Sequence, residues 1–139
     1  MRRTRQKQER NTRHAFVRNT WYVAAWSHDV GEPKPFAARI LGERIVLFRS
    51  EAGRAAALED RCVHRLAPLS LGRREEAGLR CMCHGILFNA QGRAIEIPGQ
   101  EAIPAQARVR THPVAERHGW VWVWSNVRRL SVSIRCEMR

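Results

Sequence analysis

The chain of 139 residues is 44% hydrophobic and 27% charged, with a formal net charge of +12 and four cysteines. That length holds one small domain, and no run approaches the roughly 18 apolar residues of a membrane span. No apolar run follows the charged N-terminus as a secretory signal requires, and the cysteines are too few and too clustered for a disulfide-stapled secreted scaffold.

The excess charge sits at the ends. Residues 1–18 carry seven basic and one acidic side chain and residues 126–139 four and one, which leaves 14 basic against 11 acidic groups between them. A basic tail binds phosphates without specificity, but no helix-turn-helix, zinc-finger or RNA-binding signature accompanies these. They read as solvated, disordered extensions. The Arg-rich head includes Glu9 and lacks an apolar face, which argues against a targeting peptide. The expected division is therefore a basic head over 1–18, a domain over 19–125 and a basic tail over 126–139.

In chain order, the segment around Trp21–Trp26 is the one place where a brief helix is plausible. Arg39–Leu41 and Ile45–Phe48 flank Gly42-Glu43, an apolar-turn-apolar pattern that predicts a hairpin, and Ser50–Gly53 turns the chain into Ala55–Leu58. Ile86–Phe88 and Ala94–Ile97 flank Asn89–Gly92, predicting a second hairpin. Val109–Glu116 and Trp120–Trp124, about Arg117–Gly119, predict a third. Trp120, Trp122 and Trp124 alternate with Val121 and Val123, so both faces of the last strand are apolar and it reads as buried rather than as an edge. The three tryptophans are expected to pack in the body. Many short strands at this spacing predict a small all-β, antiparallel domain.

The chemistry is concentrated in two boxes, Cys62-Val63-His64 and Cys81-Met82-Cys83-His84-Gly85, separated by sixteen residues. Each box offers a thiolate and an imidazole from a short loop. A reading without metal requires two soft-ligand pairs to fall together by chance. Structural zinc accepts two Cys and two His, but its boxes usually pair like with like. A Rieske-type [2Fe–2S] cluster holds one iron by two Cys and the other by two His, so that each loop touches both irons. The spacing favours the cluster.

At these residues the chain resembles a known family. Asn19–Trp26, Glu59–Gly72, Cys81–Gly85, Ile97–Gln100 and Gly119–Trp124 occur in the order found in the N-terminal Rieske domain of vanillate O-demethylase-like aromatic oxygenases. The resemblance implies an antiparallel Rieske fold with two cluster-binding loops. It implies that Cys62 and Cys81 ligate the inner iron and His64 and His84 the outer one. It also implies a role in passing electrons from an NAD(P)H-dependent flavin or iron–sulfur reductase toward a mononuclear iron in a catalytic oxygenase domain or subunit, within the cytoplasm.

That catalytic iron needs two His and a carboxylate. His14, His28, His112 and His118 have no carboxylate at ligand spacing and read as surface residues. The chain is expected to transfer electrons rather than to activate oxygen alone. A free Rieske ferredoxin is the alternative, and a zinc-stabilised nucleic-acid-binding module a weaker one.

Two positions depart from related patterns. Cys83 stands where the oxygenases often have Tyr. Respiratory Rieske proteins place there a disulfide cysteine, whose partner position here is Ala67, so Cys83 reads as a free, partly buried thiol. Ile86 replaces a hydroxyl residue of those high-potential proteins, which predicts a potential near the low end of the Rieske range, roughly −150 mV. Pro98-Gly99 is expected to form a loop shielding the cluster.

Overall fold

The computed structural model describes residues 16–31 and 33–125. The expectations of a disordered head and tail fall almost wholly outside these residues. The described chain is built from eleven strands with two single-turn 3-10 helices, at Ser27–Asp29 and Leu69–Leu71.

The strands are β1 (Thr20–Trp26), β2 (Phe36–Ile40), β3 (Glu43–Arg49), β4 (Ala55–Glu59), β5 (Arg73–Glu75) and β6 (Gly78–Arg80). They continue with β7 (Leu87–Phe88), β8 (Ala94–Glu96), β9 (Thr111–His112), β10 (Val114–Arg117) and β11 (Trp120–Ser125). They form three antiparallel sheets in the orders β1-β11-β10, β2-β3-β4-β9 and β5-β6-β7-β8. The all-β, antiparallel expectation holds.

The middle sheet is buried on both faces, and alternation along β3 shows how. Ile45 and Leu47 join Ala57 in packing against Val121, Val123 and Ala25 of the first sheet. Val46 and Phe48 point the other way, onto a core shared with Leu79, Phe88, Cys62 and Cys81. A strand buried on both sides reads as a continuous apolar run, and Ile45–Phe48 does so. The third sheet and the two boxes thus lie on one side of the middle sheet, and the β1-β11-β10 sheet on the other.

The hairpins about Gly42 and Asn89–Gly92 form as expected, with Ala38 paired to Ile45 and Phe88 to Ala94. Gly78 is required where the chain crosses β7, since a Cβ there would lie 1.9 Å from the Phe88 carbonyl oxygen.

Four expectations are corrected. Trp21–Trp26 is not helical: it is β1, in register with β11 from Thr20↔Ser125 to Trp26↔Trp120. Thr20, Trp21, Tyr22, Val23 and Trp26 are β-branched or aromatic residues that favour a strand, and a short segment without a cap has little to hold a helix. The third hairpin is narrower than predicted, because the chain breaks at Pro113. Thr111–His112 pairs with β4 in the middle sheet, and only Val114–Arg117 pairs with β11.

β11 is indeed a central strand, but its tryptophans do not pack inside. Val121 and Val123 are fully buried, while Trp120, Trp122 and Trp124 lie half-buried on the outer face beside the exposed Trp21 and Trp26. Trp26 stacks on Trp120 there, and Trp21 meets Trp124 edge-on. Finally, His112 is not a surface residue, at only 6% exposed. Among the described residues no helix is long and apolar enough to cross a membrane.

Candidate metal centre

The two boxes fold as a matched pair of turns. In the first, the Cys62 amide donates to the Ala67 carbonyl and the Leu66 amide to the Cys62 carbonyl. In the second, Cys81 donates to Ile86 and Gly85 to Cys81. The equivalence extends to the backbone: Leu66 has φ 57° and Gly85 has φ 72°, both left-handed. Glycine adopts that conformation freely, whereas a leucine is strained in it by about 1 kcal/mol.

Each turn springs from a strand of the core, the first after β4 and the second after β6. The pairing presents one thiol inward and one imidazole outward from each turn. Cys62 and Cys81 are each 2% exposed and free of any disulfide. Their side chains hydrogen-bond to each other, and the amides of His64 and Arg65 also approach the Cys62 sulfur. Burial, reinforced by the Cys81 neighbour, pushes the Cys62 thiol up to about 11. Such a thiol ionises when a metal displaces its proton.

On the open side, His64 Nδ1 lies 3.0 Å from His84 Nδ1, the rings nearly perpendicular. Desolvation, followed by the charges of His84 and Arg65, holds His64 below its ordinary value. It is therefore neutral at pH 7, the form that ligates metals.

The structure thus pairs the predicted residues two by two, the thiols of Cys62 and Cys81 in the core and the imidazoles of His64 and His84 on the open side. Among the described residues no three His, Cys, Asp or Glu side chains converge where a single ion could be held. Two separate pairs of unlike donors suit a binuclear cluster of two irons, each with its own ligand type, better than a single tetrahedral zinc.

Two residues that support the loops are not evident from the sequence. Asp60 is 4% exposed and accepts the Ser70 amide at 2.7 Å and the Ser70 hydroxyl at 2.6 Å. It thereby ties the chain just before the first box to the 3-10 turn after it. Arg80, directly before Cys81, donates to Glu75, to Glu96 and, at 2.7 Å, to the Gly85 carbonyl within the second turn. Only the acid-then-turn pattern of Asp60-Arg61-Cys62 hints at such bracing.

Cys83 is a free thiol but is exposed, not partly buried as expected, because it lies outside the thiol pair on the open part of the second turn. Pro98 stands over the second turn, its Cγ 3.3 Å from where a Cβ on Gly85 would be. Exposed Leu66 and Met82 belong to the same two turns as the imidazoles.

The Rieske [2Fe–2S] domain family matches residues 20–113. The iron–sulfur subunit of a toluene-4-sulfonate monooxygenase system from Comamonas testosteroni is 47% identical over 109 residues, covering 78% of this chain and 31% of that protein. The oxygenase subunit of a vanillate O-demethylase from a Pseudomonas strain is 39% identical over 116 residues, covering 84% of this chain and 32% of that one. Among solved structures, dicamba monooxygenase bound to dicamba superposes with a TM-score of 0.76 at 42% identity, over 81% of this chain and 36% of that one. The chain therefore spans about a third of the length of the relatives it matches. The matched pair of turns, the buried thiols and the facing imidazoles fit the group that gives this family its name, and the chain belongs to the Rieske [2Fe–2S] domain family, with a Rieske-type [2Fe–2S] cluster as its cofactor.

Proposed function

We propose that Cys62 and Cys81 hold the inner iron of the cluster and His64 and His84 the outer one. We propose further that the domain relays single electrons as the iron–sulfur part of an aromatic monooxygenase or O-demethylase. The observation that carries this reading is the separation of the donors by burial: both thiols are 2% exposed, whereas the imidazoles meet 3.0 Å apart on the open side.

When bound, the cluster supplies a one-electron couple whose potential is raised by imidazole ligation relative to an all-cysteine cluster. The chain's own residues do the rest. The apolar core around Cys62 and Cys81, formed by Phe88, Leu79 and Leu69, keeps water from the thiolate side. The amides of His64 and Arg65 aim at the Cys62 sulfur and stabilise its negative charge. His64 and His84 lie toward solvent and form the shortest route for an electron to a partner.

The electron source would be an NAD(P)H-dependent flavin or iron–sulfur reductase. The acceptor would be a mononuclear iron in a catalytic oxygenase domain or subunit. Relatives named as oxygenase components favour this over a free ferredoxin. Unpaired thiols at Cys62, Cys81 and exposed Cys83 suit a reducing compartment, and we place the protein in the cytoplasm.

Single replacements test the ligand set. Cys62→Ser, Cys81→Ser, His64→Ala and His84→Ala should each abolish the visible and paramagnetic signature of the cluster. A variant that keeps the full spectrum removes its residue from the set.

A further inference from the structure

We infer that a cationic groove beside the first turn is the docking site for an acidic electron-donor protein. This inference rests on the electron-transfer reading above. The groove is lined by Cys62, Val63 and Leu66 together with Arg61, Arg108 and Arg110, and Glu59 is its one acidic residue.

The fold gathers these arginines by backbone register. The Glu59 amide bonds the Arg110 carbonyl at 2.8 Å and the Asp60 amide bonds the Arg44 carbonyl at 2.9 Å. Residues far apart in sequence therefore meet where β4 runs into the first turn. Arg61 and Arg44 both have half-exposed side chains, and Arg108 and Arg65 are exposed.

The acids present do not cancel this charge. Glu59 reaches Arg61 at 3.8 Å and Glu43 reaches Arg110 at 3.5 Å, both partly exposed pairs of the kind that hold little energy. The Asp60 carboxylate is buried and held by Ser70, with Arg44 3.9 Å away, which leaves Arg108 and Arg65 exposed beside the turn. A partner surface carrying several carboxylates and an apolar contact for Leu66 complements the groove. Seating it there brings its redox centre alongside the turn that carries Cys62 and His64. Charge complementarity of this kind acts chiefly on the rate of encounter.

The test uses the full 139-residue chain with its cluster, oxidised, and a reduced plant-type [2Fe–2S] ferredoxin as an acidic protein probe. The potential of such a probe lies below the Rieske range. One electron leaves the ferredoxin and is taken up by the oxidised cluster, and stopped-flow absorbance gives the second-order rate. The rate should fall at least about tenfold between low salt and physiological ionic strength, where the screening length is about 8 Å.

Arg61→Glu with Arg108→Glu should lower the low-salt rate at least about tenfold, with the paramagnetic spectrum and midpoint potential unchanged. Arg108→Gln should give a smaller loss in the same direction. Arg54→Glu, one such charge reversal at the exposed turn on the far end of β4, should change the rate less than about twofold. Dithionite, a small reductant, should reduce all variants alike.

An unchanged rate in the double variant overturns the proposal. So does an equal loss in Arg54→Glu, which would assign the effect to net charge. Failure of the underlying reading is separate and visible beforehand, because dithionite would then produce no Rieske signal in the unaltered chain.

Discussion

Arg80 and Gly85 are joined by a hydrogen bond of 2.7 Å from guanidinium Nη1 to the carbonyl oxygen, across the turn that carries Cys81 and His84. The remaining donors of the same guanidinium go to both oxygens of Glu75 and both of Glu96. All the N–H groups of a fork with five donors are thereby used, on a side chain only 15% exposed.

Lysine keeps the charge but cannot reproduce the fork. Arg80→Lys should therefore retain the cluster yet release iron to a chelator several-fold faster, as the second turn loosens. Arg80→Met loses the charge as well and leaves Glu75 with Arg73 alone, so it should lower the melting temperature more than Arg80→Lys does. Chelator-release kinetics and thermal melts of the cluster-bound protein check both, and parent-like behaviour of both variants would remove Arg80 from the loop's support.

The hydrogen bonds of Arg80, with those of Arg73 second, hold Glu75 down at about 2. A carboxyl depressed in the fold contributes stability that is complete above its unfolded value and is lost as pH falls through the folded one. Melting temperature should thus decline between about pH 4.5 and pH 2. Glu75→Gln should flatten that part of the profile, and an unchanged profile would contradict the assignment.

His112 gives a second pH dependence of different origin. Burial first, and the nearby Arg110 charge second, hold its imidazole below the ordinary value against the weaker opposing pull of the Trp124 backbone and Glu59. Its Nε2 is buried with no hydrogen-bond partner. The folded state keeps the ring neutral while the unfolded chain protonates, so stability is full above about pH 6.5 and falls below it. The slope is at most about 1.4 kcal/mol per pH unit. His112→Phe should remove this slope in melts between pH 7 and 5. If the slope persists, it belongs to other groups.

The two left-handed positions of the cluster turns should respond oppositely to exchange. Leu66 is 62% exposed, so Leu66→Gly loses little burial and relieves about 1 kcal/mol of backbone strain, offset in part by the greater freedom of glycine when unfolded. It should be close to neutral and keep the cluster. Gly85→Ala acquires that strain and crowds Pro98, and should destabilise by about 1–2 kcal/mol. Thermal denaturation of both variants decides; equal effects would refute the equivalence of the turns.

Cys83 is exposed and outside the paired thiols. Cys83→Ser should leave iron content and spectrum unchanged, and loss of the cluster would show that its role has been misjudged.

The candidate donor set is legible in the sequence because ligand chemistry is written locally, as Cys62-Val63-His64 and Cys81–His84. The hairpins about Gly42 and Asn89–Gly92 are equally local. What escapes is what depends on distant partners. Trp21, Tyr22 and Val23 are strand formers, but the pairing that fixes Trp21–Trp26 is made with β11, about a hundred residues later. The period of two in Trp120–Trp124 marks two apolar faces but cannot show which one meets the core, and here it is the valine face. His112 looks solvent-facing beside Arg110 and Pro113 until Ala57 and Trp124 close over it. Arg80 and Asp60 read as ordinary surface charges, because the carbonyl and carboxylates around one, and the Ser70 amide around the other, come together only in the fold.

The most direct test of the central claim is the electron paramagnetic resonance spectrum of the anaerobically purified, dithionite-reduced protein, with iron and zinc counted on the same sample. A cluster held between the two turns gives a Rieske-type signal with about two irons per chain. A silent spectrum with about one zinc per chain would contradict it.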